Sequence, residues 1–204
     1  MPELPSEPIS PKEFMEEFIP SALNEATLDA ETDVKLGVKL EGGGGGEWVV
    51  HLSGGSFQVE AAARDEATFT LVQTVDDWRG ALWEGRGGVF GAQAAALLTR
   101  GAAGAEDEDP PNPKVLEQLA ALNGLIRVTV TGGEGGDWST AFKLGPGELP
   151  EEPTTWIKID AADAEAMQSG TLDPMQAFMS GKIQVIGDMA LMMQMQAIAM
   201  SAGS

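Results

Sequence analysis

Leu172-Asp173-Pro174-Met175-Gln176-Ala177-Phe178-Met179-Ser180-Gly181-Lys182-Ile183-Gln184-Val185-Ile186-Gly187-Asp188 is the stretch on which the fold turns. Asp173 is placed to cap a helix that begins at Pro174, a first position where the missing N–H of proline costs nothing. Gly181 predicts the stop of that helix, and Lys182 to Ile186 alternates as a short strand. Gly187 then predicts a turn, and Asp188 the cap of a last helix. From Met189 to Met200 that helix has only Gln194 and Gln196 as polar residues and no charge. A helix apolar all round is buried, spans a membrane, or covers something apolar. It is too short to span, because a bilayer core asks for about 20 apolar residues. Met189, Met192, Met193, Met195 and Met200 supply flexible, polarizable thioether chains suited to a surface of changing shape. A Met-rich core helix in an ordinary domain has the same periodicity.

This order of elements, continuous with an upstream helix over Asp163–Gly170, resembles the sterol carrier protein type-two family of lipid carriers. The likeness is strong from Asp163 to Met200, moderate from Lys114 to Asp163, and weak before Gly101. The resemblance implies an α+β fold, a twisted and mainly antiparallel sheet covered by helices, with a tunnel for sterols, fatty acids or acyl-CoA. It implies a pocket lined by Phe178 and Met179, by Ile183 and Val185, and by Met189, Met192 and Met195. Trp156, in the strand leading to this region, is a further candidate to touch cargo, with core packing as its alternative. Gly181, Gly187 and Asp188 are expected to set the entry of the last helix, which would act as a movable lid. Lys182 is expected to face solvent or to pair with a headgroup. The last residues, Ser201-Ala202-Gly203-Ser204, do not read as the Ser-Lys-Leu address that some relatives carry.

The 204 residues are 43% hydrophobic and 22% charged, enough for one sizeable core or two small ones. A net charge of −20 would repel phosphate backbones and anionic headgroups, so no nucleic-acid partner is expected. Without cysteine there is no disulfide and no thiolate metal site or nucleophile. Met1 to Pro8 carries acids and prolines and does not read as a signal peptide, so a cytoplasmic setting is expected.

Residues 1–10 read as a disordered Pro-rich leader. A helix from Pro11 to Pro20, strands at Val34–Leu40, Trp48–Leu52, Phe57–Glu60 and Thr68–Thr74, and a helix capped by Asp76-Asp77 follow. Val89–Arg100 is an Ala-rich helix. The five glycines Gly42 to Gly46 lie between strands, so they predict a hairpin loop; a phosphate cradle needs a helix behind it. Glu106-Asp107-Glu108-Asp109-Pro110-Pro111 marks an acidic linker over 105–113. Beyond it come a helix over Lys114–Leu122, strands at Leu125–Thr131, Trp138–Leu144 and Thr154–Ile159, and the helix entering the stretch quoted first.

The halves repeat in order. Pro11-Lys12 corresponds to Pro113-Lys114, Gly46-Glu47-Trp48 to Gly136-Asp137-Trp138, and Gly85 to Gly170. The expected organisation is a degenerate copy over 11–104 and a lipid-binding copy over 114–204, either separate or joined through sheet or helices.

His51 is the sole histidine, and no Gly-x-Ser-x-Gly elbow accompanies it, so no catalytic residue is assigned. Asp107 and its neighbours lack the ligand spacing of a calcium loop, and no metal or cofactor is assigned. Trp48 and Trp138 are expected beneath the sheet. The function expected is non-catalytic binding and transfer of a hydrophobic ligand, with transient membrane contact and homodimerisation as further partners. The alternatives are a dimerisation or partner-docking module and an accessory domain of a lipid-acting enzyme.

Overall fold

The computed structural model describes residues 4–23, 33–53, 56–61, 65–100, 118 and 120–202. Eight strands form one sheet: β1 (Asp33–Glu41), β2 (Gly46–Ser53), β3 (Ser56–Glu60), β4 (Phe69–Thr74), β5 (Gly124–Thr131), β6 (Trp138–Leu144), β7 (Thr155–Asp160) and β8 (Gln184–Gly187). Their order is β3-β2-β1-β4-β6-β5-β7-β8. Only β1/β4 and β5/β7 pair in parallel. The fold is therefore α+β with a mainly antiparallel sheet, as the sequence leads one to expect. Two triplets, β2-β1-β4 and β6-β5-β7, share the same order and strand senses. They meet where β4 pairs antiparallel with β6, Leu71 opposite Phe142 and Val72 opposite Ala141.

The chain enters through α1 (Pro11–Glu13), which Ser10 caps by accepting from the Glu13 N–H at 3.2 Å. It continues through one π-helical turn (Phe14–Phe18) into α2 (Ile19–Leu23). Residues 4–10 carry no helix or strand, yet Leu4 and Ile9 pack against the core and the Pro5 carbonyl accepts from Trp83 Nε1 at 2.8 Å. Two apolar side chains among the prolines thus hold the described part of the expected disordered leader to the body.

Side chains alternate across each strand, so Val34, Leu36, Val38 and Leu40 share a face with Val50, Leu71, Val130, Trp138 and Ile159. Helices cover this face through Phe14, Met15, Ile19, Trp78, Ala81, Leu82, Ala94, Leu98 and Ala164, all in one buried cluster. The helices concerned are α3 (Val75–Trp83), α4 (Gly88–Arg100) and α5 (Ala161–Gln168), besides the N-terminal ones. Phe14, Trp78 and Trp83 meet edge to face with centroids 5.3–5.9 Å apart.

Trp48 and Trp138 are buried in this core, as expected. The cap of α3 is not the expected Asp76-Asp77 pair but Thr74, whose Oγ1 accepts from the Asp77 N–H at 3.0 Å. Asp77 is drawn inward instead. Its Oδ1 accepts from the Ser139 N–H at 3.2 Å and its carbonyl from Trp138 Nε1 at 2.8 Å, which ties α3 to β6. The expected linker over 105–113 and most of the helix over Lys114–Leu122 lie outside the described residues.

Candidate functional site

The last elements are α6 (Pro174–Met179), β8 and α7 (Met189–Ala202). Asp173 caps α6 by accepting from the Gln176 N–H at 3.0 Å, and Gly181 takes the positive φ of +75° that ends it. Asp188 caps α7 by accepting from the Leu191 N–H at 3.0 Å, and its own N–H donates to the Thr154 carbonyl at 3.0 Å. Gly187, at φ +115°, passes so close to that carbonyl that a Cβ would overlap it. The entry of α7 is therefore held by backbone geometry at the start of β7.

On the helix-bearing face, β7 and β8 lay Ile157 opposite Val185. These two form the floor of a half-open groove of about 580 Å³. One wall is α6 with Pro174, Met175 and Phe178, continued by Ile183 and by Met167 of α5. A second is α7 with Met189, Met192 and Met193, and a third is α4 with Val89, Phe90 and Gln93. The volume falls in the range of small-molecule sites. Among the described residues, the large apolar side chains left exposed are Met175, Phe178, Met179, Ile186, Met189 and Met193, all on α6, β8 and α7.

Of the residues expected to line a pocket, Phe178, Ile183, Val185, Met189 and Met192 are brought together here. Three are not. Trp156 alternates with Ile157 and stands opposite Ile186 on the other face of the sheet, away from the groove. Met179 ends α6 pointing into solvent, 80% exposed. Met195 is half-buried beneath α7, where it packs with Leu191 on Ile126 and Leu144. Leu191 and Met195 are four residues apart, on the stripe that fastens α7 to β5 and β6. Lys182 is paired with the Asp163 carboxylate. The α4 wall, supplied by the first half of the chain, is not among the expected lining residues. Its clue was the spacing of Val89, Phe90 and Gln93 on one helical face.

The cavity in the core of the first triplet, lined by Met15, Leu36, Val50 and Leu71 among others, holds about 20 Å³, room for about one water. A polar cleft of about 520 Å³ between the glycine loops is lined by Glu84, Arg86, Glu134 and Glu165. Arg86 crosses it, donating to Asp76 Oδ2 at 2.9 Å and to the Asp137 carbonyl at 3.0 Å. His51 shares a 2.8 Å hydrogen bond with Asp33 Oδ1. The described residues hold no group of three or more His, Cys, Asp or Glu placed to bind a metal, and no helix long and apolar enough to cross a membrane.

An antiparallel-dominated sheet with helices on one face and an apolar recess between them defines the class. Residues 105–200 match the model of the SCP-2 sterol transfer family. The resemblance read from the sequence is thereby shown for that stretch, just under half of the chain. Among curated proteins, hydroxysteroid dehydrogenase-like protein 2 of Xenopus tropicalis is 31% identical over 121 residues, covering 53% of this chain and 29% of that protein. The chain thus spans less than a third of that relative's length. Among solved structures, sterol carrier protein domain 2 of Helicoverpa armigera is 26% identical with a TM-score of 0.31, covering 44% of this chain and 75% of that one. Sterol carrier protein 2 from Yarrowia lipolytica (apo form) is 17% identical with a TM-score of 0.32, covering 46% and 85%.

Proposed function

We propose that this protein binds, and hands on without catalysis, a lipid or other hydrophobic ligand held in the groove between β7, β8, α4, α6 and α7. The observation that carries this reading is the apolar groove itself, about 580 Å³ with thirteen lining residues of which only Gln93 has a polar side chain. The match to a sterol transfer family over residues 105–200 supports it. Burial of apolar surface at about 25 cal/mol per Å² supplies the driving force. The α7 helix, fastened at Asp188 and by Leu191, presents Met189, Met192 and Met193 as an adaptable wall, and its outward displacement would turn the half-open groove into an entry route. Met175 and Met193, exposed on the α6 and α7 walls of the groove, are suited to transient contact with a membrane during transfer.

The test is native mass spectrometry of the purified protein for retained lipid, together with titration of an environment-sensitive hydrophobic dye against wild type and Ile157→Glu. Retained lipid and dye binding that the variant loses are expected. Repeated absence of both in well-folded protein would sink the proposal.

A second reading has its own observation. The relative matched over 29% of its length is named as dehydrogenase-like, so this chain would serve as the lipid-holding accessory part of a lipid-acting enzyme. Recovery of an enzyme bound to the tagged protein supports it, and none recovered counts against it. We also read the chain as two copies of one unit, 11–104 and 114–204, a view supported by the shared order of the two strand triplets.

A further inference from the structure

Among the described residues, the groove lining carries no charge. It is apolar except for Gln93, an exposed residue that stands with Val89 and Phe90 on the α4 wall. The cations next to it in sequence are committed elsewhere. Lys158, beside Ile157, projects from the opposite face of the sheet, and Lys182, beside Ile183, is paired with Asp163. The neighbours that do flank the lining are acidic: Asp173 precedes Pro174 and Asp188 precedes Met189, each an exposed helix cap. These groups sit in a protein of net charge −20. A carboxylate or phosphate drawn against this lining would shed water there, find no counter-ion among the described residues and face like charge. A hydroxyl, ester or amide loses far less, and the Gln93 amide can both donate to it and accept from it.

We propose that the groove selects lipids with an uncharged polar head over fatty-acid carboxylates and acyl-CoA, and that Gln93 is the residue that receives the head. The inference rests on the groove reading above and narrows its ligand class. It also gives α4, which precedes the family-matched residues 105–200, a part in specificity.

The experiment uses the full chain and displacement of 1-aminoanthracene, an uncharged dye, by 1-hexadecanol or by hexadecanoate at pH 8. The alcohol is expected to displace at concentrations at least tenfold lower than the acid. The gap should narrow at pH 5.5, where more of the acid is protonated and enters neutral. Because Gln93 is exposed, Gln93→Lys should fold normally. It should improve displacement by hexadecanoate at pH 8 at least fivefold with no like gain for the alcohol. Equal displacement by acid and alcohol in the wild type, or an unchanged ratio in Gln93→Lys, overturns the selectivity while leaving the groove reading intact. Failure of the dye and both lipids to bind overturns the groove reading and this inference together.

Discussion

At the scale of single residues, the tightest requirement is at Gly187. Its φ of +115° and its approach to the Thr154 carbonyl leave no room for a β-carbon. Gly187→Ala should cost roughly 1–3 kcal/mol in backbone strain and loosen the start of α7, read as a lower urea midpoint with faster amide exchange over 188–192. Asp77 is the second such point, since its carboxylate serves the Thr74 hydroxyl at 2.8 Å and the Ser139 N–H. Asp77→Ala should lower stability by about 2 kcal/mol, while Asp76→Ala, on an exposed carboxylate, should cost clearly less. A wild-type-like midpoint for Asp77→Ala would contradict the inward role given to it. The exposed pair Lys35–Glu66, at 2.6 Å, gives a pH signature. The hydrogen bond and charge of Lys35 hold the Glu66 carboxyl below its ordinary value of 4.5, and Glu66 in turn raises Lys35 above 10.5. The Glu66 contribution is present above the ordinary carboxylate range and lost as pH falls through its depressed value. That of Lys35 is present below its ordinary range and lost as pH rises through its raised value. Glu66→Gln should therefore differ slightly from wild type at neutral pH, and the difference should vanish in strong acid and in high salt.

At the scale of elements, what could be read in the sequence was what local chemistry fixes. Asp173, Gly181, Gly187 and Asp188 announce their caps and turns because each acts on backbone within a few residues. The strands were legible from alternation, Trp138–Leu144 to the residue. What escaped was decided across space. No local rule says that α4 comes to face β8 across the groove, or that the inward pull of Ser139 and Trp138 leaves the capping of α3 to Thr74. Trp156 is different, for the alternation that puts Ile157 on the groove floor already puts Trp156 on the other face. The two stripes of α7 can be separated by mutation. Met192→Glu, which lines the groove and also packs against the Leu191 cluster, should abolish dye binding with a partial loss of stability. Leu191→Ala, a buried anchor, should cost about 2–5 kcal/mol by leaving a cavity. If Met192→Glu binds dye as wild type does, α7 is not a wall of the site.

At the scale of the whole molecule, the sheet runs without a break from β3 to β8, and the β4–β6 ladder is its seam. Phe69 stacks on Phe142 across that seam at 5.4 Å, and Trp138 is capped by α3. A fragment of residues 105–204 would lose the α4 wall, the ladder partner of β6 and the cover of Trp138. It should melt without the sharp transition of the full chain and fail to bind dye, as circular dichroism and titration would show.

The seam also bears on how the two triplets find each other. Because noncovalent pairing at β4–β6 and the burial of Trp138 under α3 already align the two triplets, the protein is expected to assemble even when its chain is cut between 101 and 117. Two polypeptides broken there and mixed should reconstitute one complex, with a midpoint that climbs with concentration as bimolecular association demands.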